Sequence, residues 1–221
     1  MCGKLFNNVV ENFKSLFYTL GMKKLFITLL ILCSSMTFAY GANKNSNVQK
    51  IDEISQQARV YYAQNDIDEA FKILSNKPED ERSAEDWLLL GNIMQDKDKI
   101  PEAIYMFNQS INKNPKFYKA HYNLGYIYFI QDKPNMALSE FKTAVRYKPD
   151  FAYGYYNIGC AYIKLKKYGT AKYNLFKALD LKANEPDIYY NISYAYKMMG
   201  KEKQAKTYLD LYNKMMENHD L

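Results

Sequence analysis

The sequence predicts an all-α fold, a solenoid of stacked helical hairpins, on three observations. The string HYNLGYIYF at 121–129 returns as YYNIGCAYI at 155–163 and YYNISYAYK at 189–197, each time 34 residues on and without an insertion. Inside each period, apolar residues recur at intervals of three and four in two runs, separated by a polar break such as DKDK, QDKP or MGKE. That spacing places them on one face of each of two helices joined by a tight turn. Gly91, Gly125 and Gly159 occupy one recurring place. Glycine inside a helix costs about 1 kcal/mol relative to alanine, so the recurrence points to two helix axes in close contact.

Taken in order, the units span 84–117, 118–151, 152–185 and 186–219. Counting from Ala84, Trp87, Leu90, Gly91 and Met94 stand at places 4, 7, 8 and 11, and Ala103, Phe107, Ser110 and Pro115 at 20, 24, 27 and 32. The next unit repeats this as His121, Leu124, Gly125, Tyr128, Ala137, Phe141, Ala144 and Pro149. Pro115 and Pro149 cannot extend a helix and close their units, whereas Pro186 opens the last pair. Across the pair Gly125 is expected to face Ala137, and Ser193 keeps the glycine place small. A worn copy runs over 51–83, with Ala58, Tyr61, Ala70 and Leu74 in the matching places. It lacks the tryptophan and the glycine, and its second helix gives way to NKPEDERS.

The pattern of Trp87, Leu90 and Gly91, followed by alanine, phenylalanine and proline at these spacings, resembles the tetratricopeptide repeat. The resemblance implies a right-handed superhelix of hairpins whose first helices line a concave groove.

Before the repeats lies a different kind of segment. Residues 22–42 run from Met22 through Lys23 and Lys24 to an apolar stretch from Leu25 to Leu32, then to small residues at Ala39, Gly41 and Ala42. This is the order of a secretory leader, with the mature chain beginning near Asn43 and exported to a periplasm or secreted. The uncharged span 25–42 also reaches the lower limit for crossing a bilayer, so a membrane anchor is the alternative. Upstream of Met22, Leu5, Val9, Phe13, Phe17 and Leu20 recur at helical spacing, which leaves Met1 and Met22 both open as the start. Cys33 follows Leu32 rather than a small residue, so it does not read as a lipidation site. Residues 43–50 form a polar linker.

Composition narrows the function class. Of the net charge of +6, Lys4, Lys14, Lys23 and Lys24, opposed only by Glu11, precede residue 43. The lysines that remain are scattered among acids rather than clustered, which argues against a nucleic-acid partner. Cys2 and Cys33 lie in the leader region, so a processed chain keeps only Cys160. There is no metal-ligand spacing, glycine-rich phosphate loop or haem attachment motif. His121 and Cys160 sit at different kinds of place one repeat apart and do not make a catalytic dyad. The sequence therefore points to no catalytic residue, cofactor or metal, and to recognition of another protein or peptide.

The candidate surface lies beside the core stripe. Places 5, 9 and 12 of the first helix read Leu88, Asn92, Gln95, then Tyr122, Tyr126, Phe129, then Tyr156, Cys160, Ile163, then Tyr190, Tyr194, Lys197. Tyr153 at place 2 joins them. Of the 22 tyrosines these are the ones expected to line the groove, because tyrosine combines contact area, few rotatable bonds and a polar tip. Two uses are open to the rings: holding a partner, or stacking between neighbouring helices. Asn123, Asn157 and Asn191 share place 6. Within the family resemblance, an asparagine there can bond a peptide backbone, while Leu88, Tyr153 and Asn157 stand where cations would clamp an acidic tail. The rival use of the array is self-association through the last helix, where Tyr208, Tyr212 and Met215 lie.

Overall fold

The computed structural model describes residues 53–183 and 185–219, with side chains as far as Glu217. The leader, anchor and linker expected over 1–50 lie outside the described residues. The four full repeats lie within one compact unit, Gln57–Leu221.

Among the described residues every regular element is helical. Residues 53–63 form α1, followed by α2 (Ile67–Ser75), a 3-10 turn (Glu79–Glu81), α3 (Ala84–Asp96), α4 (Ile100–Lys113), α5 (Tyr118–Ile130) and α6 (Pro134–Tyr147). Then come α7 (Ala152–Lys164), α8 (Tyr168–Asp180), α9 (Pro186–Met198) and α10 (Glu202–His219). The main contacts join α3 to α4, α5 to α6, α7 to α8 and α9 to α10, and each second helix then touches the next first helix. That is a row of antiparallel hairpins in which each shields the next.

The turns inside the hairpins show why the period carries no insertion. Asp98, Asp132, Lys166 and Gly200 share place 15 and all adopt left-handed backbone, with φ of 56, 57, 57 and 71°. Glycine tolerates this conformation and aspartate accepts it, whereas a lysine there is strained. Prolines near the N-termini of α4, α6 and α9 cost no helical hydrogen bond.

Close helix packing is real, but the partner of the glycine differs from the expected one. A Cβ added at Gly125 would stand 2.8 Å from the Phe141 ring, one at Gly91 2.4 Å from Phe107, and one at Gly159 2.7 Å from Leu175. At Gly125 the nearest neighbour is thus place 24 rather than Ala137 at place 20, and only Gly159 also meets place 20, through the Ala171 carbonyl at 3.3 Å. Helical side chains lean toward their own N-terminus, so the Phe141 ring covers the turn that carries Ala137. In the last hairpin the Ser193 hydroxyl, at the glycine place, donates to the Ala205 carbonyl at 2.7 Å. Fully buried Phe107 and Phe141 each contribute about 2–3 kcal/mol by leaving water.

A second stripe completes the core. Places 3, 7 and 10 of the first helices are buried throughout: Ala120, Leu124 and Ile127, then Gly154, Ile158 and Ala161, then Ile188, Ile192 and Ala195. In α3 the place-3 residue is Asp86, and it is buried too. Its carboxylate meets Lys77 Nζ at 2.5 Å and closes a capping box with Ser83. Arg82 donates to the Ser75 and Lys77 carbonyls and lies 4.8 Å above the Trp87 ring. The polar stretch after α2 is therefore a buried ionic joint between the first two hairpins, where removing one partner would strand a charge.

Candidate interaction groove

Place 6 of the first helices is where one repeat reaches back to the one before. Asn157 is 6% exposed and its Nδ2 donates to the Tyr122 hydroxyl at 2.9 Å. Asn191 Nδ2 stands 3.4 Å from the Tyr156 hydroxyl and 3.6 Å from Cys160 Sγ. Place 5 of α3 is Leu88, which has no hydroxyl to offer. Asn123 turns instead to place 9, where its Nδ2 donates to Asn92 Oδ1 at 2.7 Å.

The residues read from the sequence divide accordingly. Asn92, Tyr122, Asn123 and Tyr126 come together around one open pocket of about 260 Å³, completed by Tyr62 of α1 and by Gln95 and Asp96 of α3. The other six lie outside its lining. The Tyr122 ring packs 4.9 Å from Phe151 and 5.8 Å from Phe141, and burial pushes its hydroxyl above the ordinary tyrosine range. Lys164 Nζ covers the Phe129 ring at 4.6 Å. The Tyr153 hydroxyl donates to Glu185 at 2.8 Å, which raises its pKa. Burial raises Tyr156 as well. Tyr190 pairs with Tyr212 at 5.4 Å and Tyr194 with Tyr168 at 6.2 Å. Tyr126, 39% exposed, enters no ring contact or hydrogen bond among the described residues.

Sequence reading missed Tyr62 and Asp96. Their hydroxyl and carboxylate meet at 2.7 Å. The available signal was the register of the worn copy, which starts at 51 and puts Tyr62 at place 12, one of the groove places. Burial, followed by the Asp96 carboxylate, pushes Tyr62 up to about 12. Cys160 is raised to about 11 by burial, which keeps it a neutral packing thiol. His121 is buried at its core place, with Nδ1 2.7 Å from Glu140 Oε2 and Nε2 3.1 Å from the Pro115 carbonyl. Burial alone would lower its pKa, but these two acceptors outweigh it and hold the imidazole above its ordinary value. Among the described residues no cluster of three His, Cys, Asp or Glu could hold a metal, and no helix is long and apolar enough to cross a membrane.

Comparison with known proteins bears on the fold. Two tetratricopeptide-repeat models match, one at residues 106–139 and one at 152–185 and 186–215. No curated protein matches the sequence. Similar solved structures include MamA residues 41-end from Desulfovibrio magneticus RS-1, at 18% identity and TM-score 0.69 over 78% of this chain and 98% of that one. Another is MamA of strain MSR-1, at 20% identity and TM-score 0.65 over 77% and 98%. A further MamA crystal structure reaches 21% identity and TM-score 0.66 over 74% and 96%. The chain thus carries tetratricopeptide repeats at the matched residues and is an all-helical solenoid of the tetratricopeptide-repeat type.

Proposed function

We propose that this chain is a non-enzymatic scaffold that holds an extended segment of another protein against its first helices, anchored at the junction of α3 and α5. The observation that carries this reading is the Asn92–Asn123 pair. Once Asn123 has donated to Asn92, the pair keeps an unused N–H on Asn92 and an unused oxygen on Asn123, on the wall of an open pocket. One donor beside one acceptor is the complement of a peptide backbone, and the Tyr126 ring beside them is not used by the fold. The leader-like order of residues 22–42 adds that this function is exercised after export, or at a membrane surface if the segment is kept. A mature N-terminus near Asn43 would mark export.

The test is selection of binding peptides from a random peptide library by the full chain. Tyr126→Ala combined with Asn92→Ala should weaken the selected peptides by about tenfold or more, while helicity by circular dichroism stays unchanged. Undiminished binding in the double variant would contradict the proposal.

A second reading is favoured by α10, though not by the residues expected to carry it. Tyr208 packs on Phe176 and Tyr196, Tyr212 packs on Tyr190, and Met215 is half-buried, whereas Leu209, Leu211 and Met216 are exposed on the described helix. Such apolar surface suits self-association. A scattering mass that rises with concentration would support it, and a constant monomer mass would not.

A further inference from the structure

The pocket at the α3–α5 junction has a chemical bias that a plain backbone-binding site lacks. At its edge lies the carboxylate of Asp96, an exposed residue of which only Oδ2 is bonded, accepting from Tyr62. None of the lining residues is a cation. Lys97, the next residue along, does not neutralise it, since its ammonium pairs with Asp68 and lies 5.6 Å over the Phe71 ring. A negative charge beside three tyrosine rings is thus left uncompensated in a space of about 260 Å³.

The same chain shows what such an arrangement accepts. One repeat further on, Lys164 Nζ meets the Asp132 carboxylate at 2.8 Å while lying 4.6 Å over the Phe129 ring, so ring and carboxylate together hold one cation. Lys164 stands at place 13 of α7. At place 13 the preceding full repeats carry Asp96 and Ile130, and Tyr62 stands at place 12 of the worn copy, so the α3–α5 junction has rings and a carboxylate but no lysine of its own. A cation from outside would complete it.

We propose that this pocket receives a basic side chain, arginine ahead of lysine, from the segment bound in the groove; the inference rests on the groove reading above. Guanidinium suits the site because it stacks on aromatic faces and bonds a carboxylate oxygen at once. The volume fits one long side chain better than a whole small-molecule ligand. An acidic side chain would meet Asp96 with no cation beside it, and is disfavoured.

The experiment titrates the full chain, labelled with 15N, with the peptide acetyl-Gly-Gly-Arg-Gly-Gly-amide and with two counterparts. One carries citrulline, which has nearly the shape of arginine without its charge, and the other carries glutamate. The arginine peptide should shift the side-chain amide signals of Asn92 and Asn123 and bind at least about fivefold tighter than the citrulline one. Asp96→Asn, which leaves Tyr62 an oxygen to bond, should reduce that ratio to near one. If arginine and citrulline peptides shift the same signals with equal affinity, the basic preference is overturned while the groove reading stands. Tighter binding of the glutamate peptide overturns the preference as well. If none of the three peptides moves the Asn92 and Asn123 signals, the groove reading fails and the preference fails with it.

Discussion

The first junction between full repeats, α3 with α5, and the two that follow it use one asparagine place for different ends. At the later junctions Asn157 and Asn191 meet a tyrosine hydroxyl of the preceding repeat, so ring and amide are consumed by packing. At the first, Leu88 stands in place of that tyrosine, Asn123 pairs with Asn92, and a pocket with unused polar groups remains. Beneath all three junctions the hairpin interiors barely change, with glycine or serine set against place 24 or 20 in each. Positions that close-packing dictates must repeat, whereas positions released from packing vary. In this chain the variation concentrates at the α3–α5 junction.

The hairpin interior should be the most sensitive part. Gly125→Leu drives a branched side chain into the Phe141 ring, where even a Cβ stands 2.8 Å away, and should cost about 3 kcal/mol or more in denaturant unfolding. A loss that small surface substitutions also produce would break the claim that interiors are common to all repeats.

The junctions come next. Asn157→Leu removes a buried donor and leaves the Tyr122 hydroxyl without it, for a cost of about 1–3 kcal/mol. Asn123→Leu should cost less, about 1 kcal/mol, because half-buried Asn92 can turn to water. Equal costs at the two sites would erase the difference between the junctions.

The smallest of the stability effects depends on pH. Two acceptors face the His121 ring, Glu140 from α6 and the Pro115 carbonyl from the preceding loop, with Arg146 opposing them at longer range. Because the folded pKa is raised, the stabilisation is fully present below the unfolded value of about 6.5 and is lost as pH rises through the folded value. Thermal melts should therefore fall modestly across that window, and Glu140→Gln should flatten the slope. A Glu140→Gln slope as steep as that of the unaltered chain would mean that another group titrates there.

Much of this architecture was legible in the residues because helical spacing and a strict period are local properties. The three-and-four pattern fixes the helical class, and the recurring glycine correctly announces close helix axes. What escaped depended on direction and distance. Ala137 is the small neighbour in the period, but the lean of helical side chains hands the contact to Phe141 four residues later. Lys77 and Arg82 sit in the polar run NKPEDERS, and only the fold supplies Asp86 and Trp87 to bury them. Four of the ten groove residues converge on the pocket; the others are partly held by rings, carboxylates or Lys164, contacts that no single-helix periodicity displays. Tyr62 stands at groove place 12 of the worn repeat, but that copy lacks the tryptophan and the glycine that mark the first full one.

The groove tyrosines divide into rings the fold holds and a ring it leaves available. Chemical denaturation of Tyr122→Ala beside Tyr126→Ala tests this most directly. Tyr122 packs on two phenylalanines and accepts from Asn157, so its loss should cost about 3 kcal/mol, whereas Tyr126→Ala should stay within about 1 kcal/mol of the unaltered chain. Equal destabilisation by the two substitutions would contradict the account, because both rings would then belong to the scaffold.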